Sequence, residues 1–435
     1  MTVPLSNATL CSLPDTGSAP TYDRSALSRG ILHIGLGNFH RAHQAVYLHR
    51  LFETGQDHDW AIVGASLREN DRAVRDDLEE QDWLTTVVEL EPGNLSARVT
   101  GSMIDYVDIS ASAVIAAMAD PAIRIVSLTI TEGGYFVDAT TGGFDSDDAE
   151  ICHDAAHPEA PRTVFGCLLS ALRQRRDAGA QPFTIMSCDN LPENGHVARN
   201  SVLGLARLQD TDLAEWIEAN VAFPNSMVDC ITPATSQREI DMVAETFGID
   251  DKRPVACEPF RQWVMEDTFS NGRPALDRVG VEFVKDVAPY ELMKLRILNG
   301  GHAAIAYPAG LLGIHFVHDA MAHPLIAAFL EKLARVEVIP TVPEIEGVSF
   351  DDYLTTVIER FANHRIGDTI SRLCLDGSNR QPKFIVPTIA DRLKAGDPID
   401  GLALESAFWC RYCCGETEAG ETIAPNDPDW DNLQT

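Results

Sequence analysis

Short apolar runs closed by glycine or by a cluster of charge alternate, over the first two thirds of the chain, with stretches whose apolar positions recur every three or four residues. The run Ile31 to Ile34 reads as a short buried strand, Gly35-Leu36-Gly37 as a tight turn, and about Arg41 to Glu53 as a helix. A second run, Ala61 to Leu67, ends at Arg68-Glu69-Asn70-Asp71 and completes a strand–helix–strand unit. Further strands are expected at Thr86 to Leu90, Arg98 to Met103, Ile123 to Ile130, Phe183 to Ser187 and Val281 to Val284, an alternation that implies a layered α/β body. Residues 1–28, rich in Ser, Thr, Pro and Asp, read as an irregular arm. Beyond about Ala288 the pattern turns helical, near 289–306, 319–336, 350–363 and 384–395. The boundary is expected at Val287-Ala288-Pro289, dividing the chain into domains 1–287 and 288–435.

Composition narrows the function classes. With 435 residues, 45% of them hydrophobic and 23% charged, the chain can bury a large core and is not a disordered polymer. A net charge of −31 repels phosphate backbones and anionic lipid, so neither nucleic acid nor a membrane is expected as a partner. No apolar run approaches the length of a membrane span and the opening residues lack a signal-peptide pattern, so a cytoplasmic location is expected. Of ten cysteines only Cys410, Cys413 and Cys414 cluster; without a second ligand pair they make neither a disulfide framework nor a zinc site, and no metal is expected.

A glycine pair after a buried strand lets the chain turn tightly and brings a pyrophosphate to a helix N-terminus, where unpaired N–H groups and the helix dipole favour negative charge. Gly35 and Gly37 meet that requirement, although His40 stands where the third glycine of such turns usually lies. Glu69 and Asp71, just past the second strand, are placed to accept hydrogen bonds from an adenosine ribose diol, which favours NAD; Arg68 beside them leaves NADP open. The fold class expected is therefore α/β, with an expanded Rossmann-type N-terminal domain followed by a mostly α-helical C-terminal domain.

The stretch from Tyr290 to His302 places polar groups inside an apolar helix. At a regular helical pitch, and counting from Lys294, Glu291 falls near about 60°, His302 near about 80° and Asn299 near about 140°, so the four share one face. A lysine in a cavity can move a proton, because desolvation disfavours its ammonium form, and Asn299 can donate to a developing alkoxide. Gly300 and Gly301 imply a bend or a close approach.

These residues resemble a known family. Gly35-Leu36-Gly37-Asn38-Phe39-His40-Arg41-Ala42-His43-Gln44 together with Lys294 to His302 look like the polyol-specific long-chain dehydrogenases, as do Thr129 to Tyr135, Ser187 to Leu191, Asn225 to Asp229 and Asp376-Gly377-Ser378. The resemblance runs over nearly the whole chain from Gly30. It implies metal-independent hydride transfer between NAD and a secondary alcohol of a polyol, D-mannitol to D-fructose as the leading pair, with Lys294 as general acid/base. It further implies Asn190 and Asn299 as oxyanion donors, His302 as the group orienting the substrate hydroxyl, and Glu291 as the link from the lysine to solvent protons. Asp229, Arg372 and Arg380 match substrate-binding positions, and Asn38, Phe39 and Glu132 join Gly35, Gly37, Glu69 and Asp71 as cofactor positions. Arg380 stands where Lys is usual in the family, and Cys230 where Arg is usual. Because two arginines suit a carboxylate, a hexuronate reductase such as fructuronate reductase is the alternative substrate reading, and a catalytically silent NAD-binding sensor the alternative of another class. Relatives usually continue with more helix beyond the region matching Trp409 to Cys414, so a trimmed closing edge is expected in the second domain.

Overall fold

The computed structural model describes residues 2–14, 17–138 and 141–434. Its contacts divide the chain into two compact units, one of Met1–Leu90 and Asn94–Val287, the other of Ala288–Thr435 with Glu91–Gly93.

The first unit is organised by five parallel strands: β1 (Arg29–Ile34), β2 (Ala61–Ala65), β3 (Met103–Tyr106), β4 (Ile125–Leu128) and β5 (Thr184–Ser187), in the order β3-β2-β1-β4-β5. Side-chain alternation along each strand feeds two cores. Leu32 and Ile34 of β1, Val126 and Leu128 of β4 and Ile185 of β5 face a layer that includes the helices Ala111–Ala119, Val164–Asp177 and Asn194–Gln209. Ile31, Ile125 and Met186 face the opposite layer, with Leu48, Leu51 and Phe52 of the helix Gln44–Glu53. Strand order reverses between β1 and β4, and ligands of open α/β sheets bind at the carboxyl ends of the strands flanking such a point. The loops leaving β1, β2, β4 and β5 at that edge carry Gly35, Asp71, Glu132 and Asn190.

Several expectations are corrected. The stretch expected as one strand from Arg98 to Met103 is two, Leu95–Thr100 and β3, separated at Gly101-Ser102. The helix expected from about Arg41 starts at Asn38 and is interrupted at His43, giving α1 (Asn38–Ala42) and α2 (Gln44–Glu53). The irregular arm contributes two short strands, Val3–Pro4 paired with Ile249–Asp250 and Gly17–Ser18 paired with Ala97 and Arg98. Unforeseen strands include Val255–Cys257, in a four-stranded sheet with Thr85–Leu90, and Gln262–Glu266, which joins Ser226–Asp229 to Glu282–Val284.

The second unit is helical. Its centre is the rod from Ala288 to Leu311, packed against the helices Ile370–Cys374, Asp400–Cys413 and Pro324–Leu333. Among the described residues, no helix in either unit is long and apolar enough to cross a membrane.

Candidate active site

Gly35 leaves β1 with φ +101°, and a Cβ there would stand 1.9 Å from the Thr129 carbonyl oxygen, so only glycine fits. Gly37 differs: a Cβ on it would meet nothing nearer than the Gly35 oxygen at 3.9 Å, so its missing side chain opens the turn rather than relieving a clash. That open side faces a cleft of about 470 Å³ whose lining includes Gly37, Asn38, Arg41, Arg68, Asp71 and Arg253. Asn38 pins one wall, its amide donating to the Pro233 carbonyl (3.1 Å) and Thr235 Oγ1 (2.9 Å) while its Oδ1 accepts from Arg41 (2.7 Å). Burial draws Arg41 down to about 10, which leaves it cationic at neutral pH.

The two carboxylates past β2 separate. Asp71 lines the cleft, accepting from the Ser66 hydroxyl and from Arg68 Nε at 3.2 Å. Glu69 instead pairs with Arg72 in an exposed ion pair that holds its carboxyl below the usual range. Phe39 stacks on His43 with ring centroids 4.8 Å apart and is not part of the cleft lining. At the β4 and β5 ends, the Asp189 carboxylate accepts from the N–H groups of Ile130 (2.9 Å) and Thr131 (3.0 Å) and from the Tyr135 hydroxyl (2.6 Å). These bonds tie the loop bearing Glu132 to the loop bearing Asn190, both of which are exposed. Asp229 is buried at the end of the strand Ser226–Asp229.

In the second unit the rod is not a uniform α-helix. Ala288–Met293 is α-helical, Lys294–Asn299 is a π-turn, and Gly300–Leu311 resumes the α pitch; the Gly300 N–H donates to the Leu295 carbonyl five residues back. A turn that closes over five residues brings Asn299 nearer to the side of Lys294 than the angle of about 140° expected at a regular pitch. Single π-turns of this kind are frequent at functional sites. Lys294 is only 9% exposed, whereas Glu291, Asn299 and His302 are half-buried. The His302 ring stacks on Phe361 at 4.2 Å. Gly301 supplies the close approach expected of it, since a Cβ there would meet Leu330 at 3.3 Å and Phe361 at 3.5 Å.

Both predicted arginines have partners within this unit. Arg372 forms a two-pronged ion pair with Asp368 (Nε–Oδ1 2.6 Å), which raises its pKa. Arg380 donates to the Leu373 carbonyl at 3.0 Å, capping the helix Ile370–Cys374. Among the described residues, no group of three or more His, Cys, Asp and Glu is placed to hold a metal ion.

Sequence reasoning missed a histidine pair beneath the glycine turn. His33 and His40 stack with centroids 3.5 Å apart, and burial drives both imidazoles toward the neutral form, His33 to about 3. His33 bonds Ser127 Oγ (2.8 Å), Thr129 Oγ1 (3.0 Å) and the Gly35 carbonyl (3.1 Å), so it clamps the turn. The signal was available: a histidine inside the buried strand and another at the third glycine's place.

The chain matches the family models described as the mannitol dehydrogenase Rossmann domain, over residues 29–278, and the mannitol dehydrogenase C-terminal domain, over residues 286–435. It is 59% identical over 417 residues to mannitol 2-dehydrogenase of Cereibacter sphaeroides, covering 95% of this chain and 87% of that protein. The ternary complex of Pseudomonas fluorescens mannitol 2-dehydrogenase with NAD and D-mannitol superposes with a TM-score of 0.89 at 46% identity, covering 99% of this chain and 88% of that one. A D-sorbitol dehydrogenase in substrate-free form gives 0.94 at 39% identity, covering 99% and 91%.

Proposed function

The chain belongs to the mannitol dehydrogenase family, and from that premise we propose that it is an NAD-dependent polyol dehydrogenase interconverting D-mannitol and D-fructose. The observation that carries the reading is the buried Lys294 at the head of a π-turn that ends on Asn299, on the rod that also bears Glu291 and His302.

NAD, when bound, supplies the acceptor for the hydride. The fit rests on the open side of Gly37, the cationic Arg41 and the Asp71 carboxylate, which share one cleft. Gly35, Gly37, Asn38 and Asp71 would hold the dinucleotide, with Phe39, Glu69 and Glu132 as the further assigned positions. Asp71 suits a ribose diol and already engages Arg68, which supports NAD over NADP.

In the oxidative direction Lys294, neutral, takes the proton of the substrate hydroxyl as the hydride departs from the same carbon. Asn190 and Asn299 donate their amide N–H groups to the oxyanion as charge grows on it. His302, braced by Phe361, orients the hydroxyl, and Glu291, one turn before Lys294, passes the proton toward solvent. Asp229, Arg372 and Arg380 bind the polyol chain. The engagement of Arg372 by Asp368 and of Arg380 by a backbone carbonyl weighs against a paired carboxylate clamp, and hence against a hexuronate substrate.

The deciding assay follows NADH oxidation by chelator-treated protein with D-fructose and D-fructuronate in parallel, each repeated with NADPH. Faster turnover of fructose with NADH is expected; preference for fructuronate would overturn the substrate assignment. Lys294→Ala should abolish turnover while NADH still binds, and unchanged turnover would remove the lysine from its role.

A further inference from the structure

Cys230 and Cys257 lie side by side in the first unit, on two segments held in register. The Glu258 N–H donates to the Ile231 carbonyl at 3.0 Å, and the Glu258 carboxylate accepts from the Ile231 N–H. The apolar residues Ala42, Val46, Val87 and Val255 pack around them, while the Thr232 hydroxyl lies 3.7 Å from Cys230 Sγ and Cys257 Sγ donates to the Val88 carbonyl at 3.7 Å. Into this pocket reaches Arg261, whose side chain is 2% exposed. Its Nη2 donates to Cys257 Sγ at 3.0 Å, its Nε to the Ala42 carbonyl at 2.7 Å and its Nη1 to Glu89 at 2.6 Å.

We propose that Cys230 and Cys257 form a redox-active dithiol that a peroxide closes to a disulfide, and that closure lowers the enzyme's turnover. A buried guanidinium against a thiol favours the thiolate, the reactive form of cysteine. The interaction between the two thiols draws the Cys257 thiol down, with Arg261 acting in the same direction, and, together with burial, pushes the Cys230 thiol up. Cys230, 8% exposed against 0% for Cys257, is the edge from which a small oxidant enters.

The chemistry balances with hydrogen peroxide as oxidant. One sulfur, as thiolate, attacks a peroxide oxygen; an S–O bond forms, the O–O bond breaks, and hydroxide leaves and takes up a proton as water. The second sulfur then attacks the sulfenic acid, forming the S–S bond as the S–O bond breaks and a second water leaves. Two thiols lose two electrons in all, and one peroxide becomes two waters.

Closure reaches the site by two routes. Cys230 follows Asp229 directly, so moving its backbone moves the buried carboxylate. A disulfide also makes the sulfur that accepts from Arg261 Nη2 a weaker acceptor, and the same guanidinium holds the last carbonyl of α1, the helix that carries Asn38. Weakening the acceptor of one N–H of a buried cation is unfavourable.

This effect on turnover rests on the proposed dehydrogenase activity, whereas the disulfide does not. The test uses the full chain with serine at the exposed Cys11, Cys152, Cys410 and Cys414. Reduced protein is treated with hydrogen peroxide, quenched with an alkylating agent, and both digested without reduction and assayed with NADH and D-fructose. A Cys230–Cys257 cross-linked peptide is expected, with a severalfold fall in kcat/KM that dithiothreitol reverses. Cys230→Ser and Cys257→Ser, each compared with its own untreated rate, should lose the response. Both thiols remaining alkylatable after peroxide would overturn the dithiol, and a complete cross-link at undiminished turnover would overturn its control of the enzyme. Should reduced protein lack dehydrogenase activity, the fault lies in the functional assignment, and the peptide map still decides the disulfide.

Discussion

Gly37→Ala separates the binding role of the glycine turn from its folding role. At φ −85° and ψ 179° Gly37 occupies a conformation open to any residue, and its added Cβ would lie 3.9 Å from the nearest protein atom. Replacing glycine by alanine at a helix N-cap costs a fraction of about 1 kcal/mol or somewhat more, and the stiffer unfolded chain returns about 0.4–1 kcal/mol. Folding stability should therefore change by less than about 1 kcal/mol. The methyl group projects into the space we assign to the dinucleotide, however, and overpacking of a fitted site costs about 1–3 kcal/mol. Since 1.4 kcal/mol is tenfold in affinity, the Kd for NADH should rise about 5- to 150-fold. Gly35→Ala is the contrasting control. Its Cβ would stand 1.9 Å from a backbone oxygen at φ +101°, where the left-handed conformation alone costs about 1–2 kcal/mol and the overlap about 1–3 more. NADH titration by fluorescence quenching and thermal melts read the two effects separately. Unchanged NADH affinity in a folded Gly37→Ala protein would refute the assignment of the cleft.

Asn299→Ala should lower kcat by about a hundred- to a thousandfold, as expected for one lost oxyanion donor, with little change in NADH binding; a change confined to KM would move it from the reacting oxygen. Burial pushes Glu405 from its ordinary 4.5 up to about 7, even though the Gln381 amide donates to it at 2.6 Å. Between those two values the folded state binds the more protons, so stability falls as pH rises from about 4.5 to 7, by at most about 3 kcal/mol. Glu405→Gln should flatten this slope and raise the melting temperature at pH 8; an identical pH dependence in wild type and variant would contradict it. Gly377→Ala should destabilise the helical unit by about 2 kcal/mol or more, because its Cβ would fall 2.5 Å from Trp409 Nε1 and 2.8 Å from the Tyr307 hydroxyl; an unshifted melt would show that these rings yield.

What the sequence by itself determined follows from features that act locally. The strand β1, the turn at Gly35 and the succession of helices after Ala288 were legible because alternation of apolar residues and the backbone freedom of glycine depend on near neighbours along the chain. The candidate lysine was legible too, as a polar group inside an apolar helix. Tertiary structure decided what depends on distant residues. Nothing in Lys294 to Asn299 announces a π-turn, which trades a regular i→i+4 bond for a longer one within the packing of the second unit. Glu69 and Asp71 are equivalent as letters, yet one meets Arg72 on the surface while the other meets Ser66 at the cleft. Arg372 reads as a cation awaiting an anion until Asp368 is brought against it. Cys230 and Cys257 are two unremarkable thiols 27 positions apart until the Ile231–Glu258 pairing sets them beside Arg261. Apart from the π-turn, each of these depends on a partner or an environment set by the fold, and a charge or thiol acquires its chemistry from the partner that folding delivers.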